Sequence, residues 1–111
     1  MIEKNIMDYL VDCGFDAFCE SPPNPPDTYV VVDKIAEREE SKMRFCTIAI
    51  QSNAPTMLDA MELNDEITDC MLNIVALRKY GSCKLDNSYP YTNTQLKQYR
   101  YQSVFEIVYY R

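Results

Sequence analysis

A chain of 111 residues, 47% hydrophobic and 25% charged, reads as one folding unit spanning residues 1–111, long enough to bury a core. Seventeen acids against eleven bases leave a net charge of −6, and the bases are scattered, which argues against a dedicated DNA or RNA binder and against adhesion to anionic membranes. Two glycines, Gly14 and Gly81, cannot build a phosphate-cradling loop, and the absence of histidine removes the usual base of serine and cysteine triads and the commonest zinc ligand.

Apolar residues at Ile2, Ile6, Tyr9, Leu10 and Cys13 recur at helical spacing, so the chain opens on a short amphipathic helix. Gly14 follows where a left-handed C-terminal cap favours glycine. Phe15 to Cys19 suits a short strand. The segment Ser21 to Asp27 holds Pro22, Pro23, Pro25 and Pro26, which bars it from a helix interior or a sheet ladder and predicts a stiff, extended connector.

Thr28 to Ala36 is rich in β-branched residues and reads as a strand. Glu37 to Lys42 is then a charged turn and Met43 to Ser52 a second strand, giving a hairpin that lacks the usual Asn-Gly signal. Arg44 to Ile50 is apolar on both faces, as a central strand requires. Ser52-Asn53-Ala54-Pro55-Thr56 carries helix-start chemistry, with Ser or Asn as cap and proline near the first turn. The helix it opens should run to about Leu77. Ala60, Leu63, Ile67, Cys70, Met71 and Ile74 form its inward stripe, and Arg78-Lys79 close it against the negative end of the dipole. Ser82 to Ser88 reads as a strand, Tyr89 to Thr94 as a loop and Tyr99 to Tyr110 as a long final strand, with Tyr101, Ser103, Phe105, Ile107 and Tyr109 on one face. The order helix, strands, long helix, strands predicts an α+β fold: a mostly antiparallel sheet with two main helices packed on one face.

Chemistry-bearing groups are few. Cys13, Cys19, Cys46, Cys70 and Cys83 contain no CxxC pair, and the polar, charged residues near the N-terminus do not form a signal peptide; free thiols in a reducing cytoplasm are expected. Asp59, Glu62, Glu66 and Asp69 project from one face of the long helix, with Asp65 alongside. Carboxylates from a single helix cannot wrap a cation, so a solvated face or an electrostatic role in assembly fits them better than a metal site. No cofactor, metal or catalytic residue is expected. Met61, Leu72 and Val75 form a second apolar line beside the inward stripe, extended by Leu58. It is either covered by another part of the chain or marks a subunit contact. Of the nine tyrosines, six lie between Tyr89 and Tyr110; with few bases nearby they suit packing or an interface better than nucleic-acid stacking.

Three pieces in order carry a family resemblance. Ile48-Ala49-Ile50-Gln51-Ser52-Asn53-Ala54-Pro55-Thr56, leading into a helix with Ala60 and Leu63, is similar to the strand-to-helix junction of tail-terminator and minor tail proteins of long-tailed bacteriophages. Leu96-Lys97-Gln98-Tyr99-Arg100-Tyr101-Gln102-Ser103-Val104-Phe105 resembles the C-terminal strand of that family, and the proline-rich piece before Tyr29-Val30-Val31-Val32 fits the same pattern. The resemblance implies a compact α+β subunit of a ring, commonly a hexamer, at the head-proximal end of the tail tube in the virion. Its partners would be further copies of itself, the tail-tube protein and a head-completion or neck protein, with no cofactor, no catalysis and no membrane contact. DNA would pass without specific binding, and the acidic face of Asp59, Glu62, Glu66 and Asp69 would repel it from a channel wall. A closed ring needs two different patches per subunit. Candidates are Pro22, Pro23, Pro25 and Pro26 of the connector, Arg38 and Lys42 of the turn, Leu58, Met61 and Leu72 of the helix, and Tyr91, Lys97 and Arg100 of the Tyr89 to Gln98 loop and its exit. Another head–tail joining protein and a small ligand-binding regulatory domain remain as alternatives.

Overall fold

A computed structural model describes residues 2–77, 79–91 and 99–110. Helix α1 (Ile2–Asp12) buries Ile2, Ile6 and Leu10 of the predicted stripe, whereas Tyr9 is half-buried and Cys13 is exposed beyond the helix end. It ends in a Schellman motif: the Gly14 N–H donates to the Val11 carbonyl at 2.9 Å and the Phe15 N–H to the Leu10 carbonyl at 3.0 Å. Gly14 holds φ at +101°, a conformation open to residues without a Cβ. The chain then forms β1 (Ala17–Phe18), crosses the proline segment without regular structure, and enters a hairpin of β2 (Tyr29–Glu40) and β3 (Met43–Ala54). Helix α2 (Met57–Leu72), a 3-10 turn (Asn73–Ala76), β4 (Tyr80–Pro90) and β5 (Tyr99–Tyr110) complete the fold.

The five strands lie in the order β1-β2-β3-β5-β4. All neighbours are antiparallel except β1 and β2, so the expected α+β class is what the chain adopts. Strand β3 is indeed central, and its apolar residues are buried on both faces: Ile48 and Ile50 beneath the helices, Ala49 on the opposite side. The core lies between the sheet and the helices. Ile6, Leu10, Ile67, Met71 and Ile74 pack on Val30, Val32, Ile48, Ile50, Phe105 and Ile107, each at most 1% exposed. Burying a side chain of this size is worth roughly 1.5–3 kcal/mol, so this layer is the main source of stability.

Four expected boundaries are corrected. The charged turn is two residues, Ser41 and Lys42, because Glu37 to Glu40 continue in strand pairing as far as Glu40 opposite Met43. The helix cap is Thr56, whose hydroxyl accepts from the Asp59 N–H at 3.2 Å; Ser52 and Asn53 are buried in β3 instead. Helix α2 stops at Leu72, not near Leu77, since Asn73 caps it and the chain tightens into the 3-10 turn, with the Leu77 N–H donating to the Ile74 carbonyl at 3.0 Å. Lys79 consequently lies beyond the helix and does not close its dipole, and Arg78 is outside the described residues. Finally, β4 is longer than Ser82 to Ser88 and takes in Tyr89 and Pro90 from the expected loop, whose Thr92 to Thr94 are outside the described residues.

Ser41 and Lys42 have φ of 52° and 69°, the left-handed pair that a two-residue hairpin turn of type I′ requires. A left-handed residue other than glycine costs about 1–2 kcal/mol. Replacing the pair by Asn-Gly (Ser41→Asn with Lys42→Gly) should therefore stabilise the protein by about 1 kcal/mol, raising the thermal midpoint by roughly 4–8 °C in a melting experiment.

Candidate interaction surface

No helix among the described residues covers the sheet face opposite α1 and α2. That face is small and polar at its centre, where Ala49 and Val104 are buried and the Gln51 amide donates to the Gln102 side chain at 3.2 Å. The helical side is more varied, and its outer surface is largely set by α2.

Asp59, Glu62, Asp65, Glu66 and Asp69 are all exposed, and among the described residues none takes part in an ion pair. Asp59, Glu62, Glu66 and Asp69 occupy one flank of α2, while Asp65, one helical turn after Met61, stands in line with the apolar residues of the other. The other flank carries Leu58, Met61 and Leu72, which are 65%, 45% and 39% exposed, together with exposed Val75. No described element of the chain covers this apolar line. Between the two flanks, Ala60, Leu63, Ile67, Met71 and Ile74 face the sheet as their spacing predicts, but Cys70 lies at the margin, half-buried. Asn64 also faces inward and is 4% exposed. Its amide donates to the Ser88 hydroxyl at 3.0 Å, its carbonyl accepts from the Ser103 hydroxyl, and the two hydroxyls lie 3.1 Å apart. This closed polar triangle fixes α2 against β4 and β5 in one register.

The remaining candidates are dispersed. Pro23, Pro25 and Pro26 are exposed and Pro22 is half-buried. Arg38 stacks over the Phe45 ring at 4.0 Å and donates to Glu40 at 2.9 Å; Lys42 is exposed at the hairpin tip. Arg100 is drawn back onto Tyr91, with its Nε donating to the Tyr91 carbonyl at 3.1 Å and its guanidinium 5.0 Å from the ring. Lys97 lies outside the described residues. The structure therefore places the acidic and apolar flanks of α2 side by side, whereas the connector, the hairpin tip and the Tyr91–Arg100 pair occupy separate places.

A charged cleft of about 470 Å³ was not expected from the sequence. A bulge in β2 builds it: Lys34 pairs with Ile48 and Ala36 with Thr47, leaving Ile35 as an extra residue. That insertion turns Lys34 and Glu37 onto the same face. Lys34 Nζ donates to Glu37 Oε2 at 2.7 Å, while Arg44 and the Tyr109 hydroxyl donate to Glu37 Oε1 at 3.0 and 2.7 Å. These donors, Lys34 foremost and Tyr109 next, hold the Glu37 carboxyl down at about 2. Glu3 and Lys79 line the same cleft. Its members come from both ends of the chain, so no local pattern announces it. No group of three or more His, Cys, Asp or Glu side chains with metal-binding geometry occurs among the described residues.

Glu37 binds its proton less tightly folded than its ordinary value of 4.5 allows, so it contributes stability above that pH and loses the contribution as pH falls toward 2. In acid titrations followed by circular dichroism, Glu37→Gln should be less stable than wild type at neutral pH. The two should converge as pH approaches 2; parallel curves would mean that the network carries no linkage.

No protein-family model matches the chain, and no curated protein sequence matches it. Among solved structures, a chain from the virion of a native gene transfer agent particle shares its fold, with a TM-score of 0.65 and 15% identity over 93% of this chain and 84% of that one.

Proposed function

We propose that the chain is a structural subunit of a phage or phage-derived virion, and specifically a tail terminator. In this reading identical copies form a ring, hexameric in the family it resembles, that caps the head-proximal end of the tail tube. The ring ends tube growth and offers a surface to a head-completion or neck protein. It works by shape and contact, without catalysis or cofactor.

What carries the reading is the agreement of two independent likenesses. The sequence pieces from Tyr29, from Ile48 and up to Phe105 follow the order of tail-terminator proteins, and the fold matches, along nearly its whole length, a chain found within a virion particle. The surface is compatible with such work. It combines an uncovered apolar line, several separate protruding patches and a strongly acidic helix flank, which supply the two unlike contacts that a closed ring needs. The acidic flank of Asp59, Glu62, Glu66 and Asp69 is assigned to the channel side, where like charge keeps passing DNA from adhering.

Electron microscopy of particles assembled without the protein tests the role. Overlong or unjoined tails are the expected phenotype. Normal tails beside leaking heads would instead make it a neck protein on the head side, and infectious particles lacking it would end both readings. The channel assignment has its own test. Changing Asp59, Glu62, Glu66 and Asp69 to Asn or Gln should leave tail length unchanged and lower DNA delivery by about tenfold or more in an infection assay, an effect that grows as ionic strength falls.

A further inference from the structure

We propose that Cys13 and Cys70 form a reversible disulfide that ties the end of α1 to the last turn of α2. The placement begins with Tyr9, whose hydroxyl donates to the Cys70 carbonyl at 2.7 Å and so sets one side of α1 against the C-terminal part of α2. Cys13 lies four residues beyond Tyr9, on the same side one turn later, and its N–H donates to the Tyr9 carbonyl at 3.1 Å. The Cys13 thiol is thereby a neighbour of the Cys70 thiol. One is exposed and the other half-buried.

The other cysteines have no such arrangement. Cys46 and Cys83 both lie opposite Ile107, from the two strands that flank β5. Two strand spacings separate them by about 9.5 Å, beyond the reach of roughly 7 Å between the Cα atoms of a disulfide. The Cys19 thiol rests 3.6 Å from the Met7 sulfur, and Met7 points away from the Tyr9 side of α1 because two residues turn a helix by about 200°.

A small-molecule disulfide such as oxidised glutathione supplies the oxidant. The exposed Cys13 thiolate attacks one of its sulfurs, forming a mixed disulfide and expelling one thiolate. The Cys70 thiolate then attacks the Cys13 sulfur and expels the second. One S–S bond replaces another, the protein loses two electrons and two protons, and two small thiols carry them away. Burial, with the neighbouring Cys13 thiol next, raises Cys70 to about 12, so Cys13 is the entry point and the closing step is the slower one. The bond would close a long loop containing the connector, the β2–β3 hairpin and most of α2, the kind of loop whose closure most restricts an unfolded chain. Within the virion reading, the bond stays open during assembly in a reducing cell and closes in the released particle. The bond itself does not depend on that reading, and the following test is made in solution.

The full chain is incubated with oxidised glutathione, alkylated, digested and analysed by mass spectrometry, while its melting is followed with and without reductant. A Cys13–Cys70 linked peptide should dominate, the midpoint should rise by roughly 10 °C and fall back on reduction. Cys13→Ser should abolish both effects; because Cys13 is exposed, this variant keeps the reduced fold whatever Cys70→Ser does. Recovery of Cys13 and Cys70 as separately alkylated or glutathione-capped residues, or linkage of another pair in the folded protein, would overturn the proposal.

Discussion

The seam between β3 and β5 is the constraint on which the rest of the molecule depends. The two strands pair antiparallel along their entire length, from Met43 opposite Tyr110 to Ala54 opposite Tyr99. This register sets Cys46, Ile48 and Ile50 beside Ile107, Phe105 and Ser103 on the face that the helices cover, all of them buried. A slip of β5 by one residue would turn Phe105 and Ile107 to the face opposite Ile48 and Ile50, so the apolar pattern leaves only one workable pairing. Helix α2 depends on it in turn. Apolar packing on the seam tolerates some sliding, but the Asn64–Ser88–Ser103 triangle does not, because a shift of α2 would leave buried polar groups without partners at about 1–3 kcal/mol each.

Departures from regular pairing have consequences of their own. The bulge at Ile35 reverses the alternation of β2 and gathers Lys34 and Glu37 with Arg44 and Tyr109, converting what would be two opposite-facing charges into a shared network. Strand β4, at the other edge of the sheet, has register shifts between Tyr80 and Ser82 and between Leu85 and Asn87. Gly81, at the first, meets the Tyr110 side chain closely enough that a Cβ would stand 3.2 Å from its hydroxyl oxygen. Bulged, polar edges resist the addition of a foreign strand. Any contact with another chain would therefore be better served by side-chain surfaces than by extension of the sheet at this edge.

Much of the fold was legible in the sequence because its signals are local. The α1 stripe ending at Gly14, the buried face of α2 and the bounds of β5 each follow from residue periodicity within one segment. Where the reading failed, a neighbouring strand or turn decided. Glu37 to Glu40 have a charged, turn-like composition, yet the pairing partners offered by Met43 to Cys46 hold them in strand. Asn73 ends α2 through backbone geometry that the apolar spacing of Ile74 and Leu77 does not register. The exposed surface was partly legible too: the acidic flank and the apolar line of α2 stand where helical spacing puts them. The Glu37 cleft and the Tyr9–Cys70 bond were not, since each joins residues that only the tertiary fold brings together.

The distribution of charge limits how copies of this chain can meet. Helix α2 holds five acids and no base, which is most of the net charge of −6 carried by the whole protein. Elsewhere, among the described residues, four cations are engaged internally: Lys4 with Asp8, Lys34 and Arg44 with Glu37, and Arg38 with Glu40. A symmetric contact between two α2 helices would bring carboxylates together well inside the screening length of about 8 Å at physiological salt. The exposed Leu58, Met61 and Leu72 could not then be buried against their own counterparts without that repulsion. Complementarity instead favours an unlike surface for this flank, whether another part of a neighbouring copy or a different protein. That is the condition for head-to-tail association, the geometry from which closed rings are built.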